Sequence, residues 1–190
     1  YGDWSSDVCS SDLFLTIQKA INTVLALDLN GYDVTIKVGA GTYTGAITIA
    51  APWVGAGTVT LLGDTTTPTN CIISTTATCL TMTGHARLTL GGFKLVSSGG
   101  DAINLTAHAQ IAITGAMNYG VCAAANAHIS SGRLSLASVE ANYTISGGCN
   151  AHWSIQNGGQ IVCNNRTITL SGTPAFTTST FRPRHVGKSS

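Results

Sequence analysis

Apolar residues recur along this chain with two periods. Near the start, Ile17, Ala20, Ile21, Val24 and Leu25 fall at i, i+3, i+4, i+7 and i+8, on one face of a helix. Thr16 stands where an N-cap hydroxyl is needed, and Asn30-Gly31 supplies a stop. The spacing predicts a helix within residues 14–30. From Val34 the period becomes two: Val34, Ile36 and Val38 alternate with polar residues, the mark of a strand with one buried face.

The same short unit then recurs, an apolar–polar–apolar triplet followed by small residues. It appears as Ile47-Thr48-Ile49, Val59-Thr60-Leu61, Leu80-Thr81-Met82, Leu88-Thr89-Leu90 and Phe93-Lys94-Leu95. Further copies are Ile103-Asn104-Leu105, Ile111-Ala112-Ile113, Leu134-Ser135-Leu136, Tyr143-Thr144-Ile145 and Ile168-Thr169-Leu170. Strands this short are not stable as isolated hairpins.

A longer period overlays them. Gly84-His85-Ala86-Arg87-Leu88 aligns with Ala107-His108-Ala109-Gln110-Ile111, and less strictly with Ala125-Asn126-Ala127-His128-Ile129 and Asn157-Gly158-Gly159-Gln160-Ile161. The intervals of 23, 18 and 32 residues imply a coil whose rungs hold about three short strands joined by turns of variable length. The helix would cover the core that the first rung otherwise exposes.

The run LTIQKAINTV followed by VTIKVGAGTYTGAITI resembles pectin-lyase-like right-handed β-helices, through Ile17-Gln18, Ala20-Ile21 and Gly41-Thr42-Tyr43. The segments VTLLGD, NCIIS, NYTISGG, HW, GGQI and TITLSGTPAF are similar to β-helix modules of phage and prophage tail proteins. The resemblance covers residues 14–177. It implies an all-β, single-stranded right-handed parallel β-helix with an N-terminal capping helix, no cofactor, a homotrimer, a host-surface polysaccharide as partner, and a place on a virion or outside the cell.

Composition narrows the function. Only 9% of residues are charged, against about 25% in an average protein, and the net charge is +1. That excludes the basic face of a nucleic-acid binder. No apolar run is long enough to span a membrane, and no signal-peptide pattern is present. Residues 3–13, DWSSDVCSSDL, resemble the translation of a short-read sequencing adapter, and Gly2 fits the preceding bases. Residues 1–13 are therefore set aside from the fold, which is expected over 14–181, with 182–190 a basic tail that is disordered or truncated. Without Asp3, Asp7 and Asp12, nine bases face five acids, a net charge of +4. The five cysteines past Cys9 show no metal-ligand spacing and read as small buried apolar residues.

The candidate chemistry is sparse. The NTD, DD, GHG and RIK motifs that pectin hydrolases share are absent from the chain. A glycosidase needs two carboxyl groups flanking one bond, and Asp64, Asp101 and Glu140 are the pool. Their plain alternative is solvated turn acids. No HxH or HExxH occurs, so no metal site is expected, and the histidines read as turn or surface residues. Trp53 and the pair His152-Trp153 are candidate sugar platforms, with packing on a rung as the alternative. Three readings follow: a structural module of a phage tail or tail-fibre-like protein contacting host-surface glycans; a polysaccharide lyase or glycoside hydrolase; and a bacterial surface adhesin.

Overall fold

A computed structural model describes residues 14–177. The adapter-like residues 1–13 and the basic tail 182–190 lie outside the described residues. The chain coils through five complete rungs and starts a sixth. The first rung holds β1 (Val34–Lys37), β2 (Gly41–Tyr43) and β3 (Ile47–Ile49), and the second β4 (Val59–Leu62), β5 (Cys71–Thr75) and β6 (Leu80–Met82). The third is β7 (Arg87–Gly91), β8 (Lys94–Ser97) and β9 (Ile103–Leu105); the fourth is β10 (Gln110–Ile113), β11 (Met117–Tyr119) and β12 (Ala127–Ser131). The fifth is β13 (Leu136–Val139), β14 (Tyr143–Ile145) and β15 (Ala151–Ile155), and the sixth begins with β16 (Gln160–Cys163) and β17 (Ile168–Leu170). Each strand pairs in parallel with the strand three places later, which makes three sheets.

The triplets become ladders. On sheet one, Ile36, Leu61, Leu90, Ile113, Val139 and Cys163 stack in register. On sheet two the column is Tyr43, Ile73, Leu95, Tyr119, Ile145 and Leu170. On sheet three it is Ile47, Leu80, Ile103, Ile129 and Trp153. Most of these side chains are buried in one continuous core, where each aliphatic contributes about 1.5–3 kcal/mol.

The helix, α1 (Ile17–Leu25), covers the first rung with Ile17, Ala20, Ile21 and Val24 buried. The Thr16 hydroxyl caps it by accepting from the Lys19 amide at 3.1 Å. It ends at Leu25, short of Asn30, because the chain must turn early to bury Leu29 and to pair Asp28 with Val54. The Gln18 side chain acts as a strand substitute: its amide donates to the Thr48 carbonyl at 3.0 Å and accepts from the Thr48 amide at 2.7 Å. It satisfies backbone groups on the open edge of β3.

Two details of the repeat differ from the sequence reading. The Leu134-Ser135-Leu136 triplet is out of phase: Leu134 is 64% exposed, and Ala137 and Val139 face inward instead. Leu134 lies on the corner leading into sheet one, where paired residues take positive φ: Gly84-His85, Ala107-His108, Arg133-Leu134 and Asn157-Gly158. These corners stack, with the amides of His85, His108 and Leu134 each donating to the carbonyl of the next rung. Register places Arg87 on Gln110, Gln110 on Leu136 and Leu136 on Gln160. The true fourth-rung to fifth-rung match to Ala107-His108 is thus Arg133-Leu134, and His128 belongs to β12 on another sheet. A left-handed backbone costs an L-residue about 1–2 kcal/mol. Ala107→Gly is therefore expected to raise stability by about 1 kcal/mol, read as a higher melting temperature. An unchanged or lower value would count against strain at this corner.

Candidate functional site

The three acids do not converge. Asp64 follows β4 on the corner between sheets one and two, where its carboxylate accepts from the amides of Thr66 (2.9 Å) and Thr67 (2.8 Å) and from the Asn70 side chain (2.8 Å). The Thr67 amide, then Asn70, hold its pKa below the usual carboxylate range. Glu140 follows β13 on the same corner, is exposed, and accepts from the Ser138 hydroxyl at 2.8 Å. Three rung spacings of about 4.8 Å separate the two, about 14 Å along the axis. Two-carboxylate hydrolysis tolerates at most about 9.5 Å. Asp101 is buried on the corner between sheets two and three, where its carboxylate accepts from the Ala127 amide at 2.7 Å. Its visible role is to tie the third rung to the fourth.

Trp53 does line a concavity. The loop of residues 50–58, between β3 and β4, overhangs the outer face of sheet one and encloses a groove of about 450 Å³. The indole N–H donates to the Arg87 carbonyl and pins the ring over β7. The floor carries Arg87, Thr89, Gln110, Leu136 and Ser138 from β7, β10 and β13. These are the side chains that the strand alternation turns away from the core. The groove thus offers one aromatic edge, one guanidinium, one amide and the hydroxyls of Thr89 and Ser138, in a volume typical of small-molecule sites. His85 also lines it and stacks on His108 with ring centroids 4.7 Å apart.

His152 and Trp153 sit elsewhere. Trp153 packs against the core at the end of the sheet-three column, with its ring 5.3 Å from that of His152. His152 is part of a ring cluster between sheets two and three. His128 is fully buried there, and its Nε2 lies 2.8 Å from the Gly120 carbonyl. Its Nδ1 lies 2.9 Å from Nδ1 of His152, whose Nε2 lies 2.8 Å from the Tyr143 hydroxyl. Tyr119 packs edge-on against Tyr143 and His152 at 5.4 Å, and Phe176 stands edge-on to His128 at 5.9 Å.

The proton positions follow from the partners. A carbonyl only accepts, so His128 Nε2 carries hydrogen and, in the neutral ring, Nδ1 is bare. His152 Nδ1 must then donate, which leaves its Nε2 to accept from Tyr143. The chain therefore runs one way, from the Tyr143 hydroxyl through His152 and His128 to the Gly120 carbonyl. Burial pushes the pKa of His128 down to about 4, and burial plus the neighbouring His128 pushes His152 down to about 3. Burial pushes Tyr143 and Tyr119 up, and the Tyr119 hydroxyl has no hydrogen-bond partner among the described residues.

Among the described residues no three His, Cys, Asp or Glu side chains are grouped to hold a metal ion. Cys71, Cys79, Cys122 and Cys149 are buried free thiols and Cys163 is partly buried. Burial pushes Cys79 and Cys149 up to about 11, so both are held as unreactive thiols. No helix is long and apolar enough to cross a membrane among the described residues. Comparisons with protein-family models, curated proteins and solved structures give no match to this chain. The resemblance to pectin-lyase-like proteins therefore rests on the coil and the quoted motifs alone.

Proposed function

We propose that the chain is a structural β-solenoid module of a phage tail or tail-fibre-like protein, outside the cell or on a virion, that holds a host-surface glycan against its side. The observation that carries this reading is the groove beneath Trp53. An indole can cover the apolar face of a pyranose, while Arg87, Gln110 and Ser138 can hydrogen-bond its hydroxyl or carboxylate groups. The separation of Asp64, Asp101 and Glu140 favours holding a glycan over cutting it. Self-association into a homotrimer belongs to the same proposal, and would lengthen the contact by repeating the groove.

The test is calorimetric titration with purified bacterial surface polysaccharides, alongside an assay for released reducing ends. Arg87→Ala and Gln110→Ala remove outward side chains and should leave the melting temperature unchanged. Each is expected to weaken binding about ten-fold, the loss of one hydrogen bond to a charged or amide group. Binding that neither variant weakens would remove the groove from the reading. Chain cleavage abolished by Glu140→Gln would replace it with an enzyme.

A further inference from the structure

The groove does not use the hydrogen-bonded chain of Tyr143, His152 and His128, which is polar, largely buried and drawn from rungs four and five. Its side chains come from Tyr143 on β14, His128 on β12 and His152 on β15, so it bolts sheet two to sheet three across a corner. Its one-way order has no seat for an additional proton. On His128 Nδ1, a proton would oppose two N–H groups at a separation of 2.9 Å. On His152 Nε2, it would force the Tyr143 hydroxyl to accept, and the hydroxyl hydrogen would need another acceptor. No carboxylate is within the set to neutralise a cation. The groups facing the two rings are the Tyr119 and Tyr143 hydroxyls, the Cys149 thiol at 3.6 Å from His128, and Cys122 and Cys163 behind the tyrosines. Asp101 is engaged by the Ala127 amide next to His128.

We propose that the Tyr143–His152–His128 chain is an acid-released latch: it fastens the fourth rung to the fifth at neutral pH, and a proton entering it opens that corner while the first three rungs stay folded. The first three rungs contribute no ring to it, and a rung in a solenoid touches only its neighbours. Opening would uncover the aromatic end of the core around Tyr119, Trp153 and Phe176. The trigger is thus acidification and the output is newly exposed apolar surface at one end of the coil.

Hydrogen exchange of the full chain, read by mass spectrometry at about pH 7 and about pH 4.5 and corrected for intrinsic rates, tests this. Peptides from residues 117–163 should lose about ten-fold or more of their protection at the lower pH, and peptides from residues 59–105 should lose none. His128→Gln/His152→Gln keeps one donor and one acceptor at each position with no titrating ring, and should abolish the acid opening. Opening that persists in that variant, or loss of protection along the whole coil together, would overturn the latch. Nitrogen chemical shifts of the unmodified protein give an independent readout should the variant not fold. They should show hydrogen on Nε2 of His128 and on Nδ1 of His152, with neither ring titrating above pH about 5. The opposite tautomers, or titration near the free-histidine value, would overturn it as well.

Discussion

A chain beginning at residue 31 is expected to aggregate or fail to fold. Ile17, Ile21, Val24 and Leu29 are at most 6% exposed, and burying four such side chains is worth roughly 6–12 kcal/mol in total. That approaches the about 5–15 kcal/mol by which a whole domain is stable. The deletion also uncovers Ile47 and Ile49, now buried to 1% or less, and strips the Gln18 amide from the edge of β3. An open parallel edge beside exposed aliphatics is a template for a second chain. Gln18→Ala separates the two effects. It removes only the clamp, should cost about 1 kcal/mol, and should leave the particle size of the unmodified protein unchanged. Light scattering and thermal melting of both variants decide the matter. A chain from residue 31 with the particle size and melting temperature of the unmodified protein would show that the helix covers nothing the fold needs.

The coil was legible because its determinants are local. A triplet such as Leu80-Thr81-Met82 carries its own inside and outside, and small residues mark the corners. The phase failed at Leu134 because the pattern does not tell a corner from a strand: Leu134 looks like an inward position, yet its φ of 61° makes it part of a corner. His128 was misplaced for a related reason. Ala125-Asn126-Ala127-His128-Ile129 and Ala107-His108-Ala109-Gln110-Ile111 both lead into strands, but into strands of different sheets. Local sequence names the corner type poorly, and only the count of strands around each rung does so. The ring cluster depends on that count. One signal was available: Tyr143 follows Tyr119, and His152 follows His128, by the same 24 residues. An interval close to one rung, shared by two pairs of ring residues, is what a stacked polar cluster requires. The acids gave no such signal, and in the structure Asp64 and Asp101 serve as backbone acceptors at corners.

Stability is expected to fall steeply on mild acidification, well before the carboxylates titrate. In the unfolded chain both imidazoles take a proton near pH 6.5. In the folded chain burial holds His128 at about 4 and His152 at about 3, so the unfolded state binds protons first. The stabilisation is complete above about pH 6.5 and is lost as the pH drops toward the folded values, at about 1.4 kcal/mol per unit for each ring. The pair together should remove about 5 kcal/mol over the two pH units below 6.5 from the fourth and fifth rungs that it joins, enough to open them while the first three rungs stay folded. Asp33 and Asp64 also have lowered pKa values, from hydrogen bonds to Thr58 and to Thr67 and Asn70 respectively. Their contribution persists down to the ordinary aspartate range near pH 4, so they act in a lower window and do not mimic the histidines. Denaturant titrations at pH 7, 6, 5 and about 4.5 would measure the slope. The His128→Gln/His152→Gln variant should be nearly flat over that range. A flat profile in the unmodified protein, or an equal slope in the variant, would mean that the buried pair does not set the acid limit of this fold.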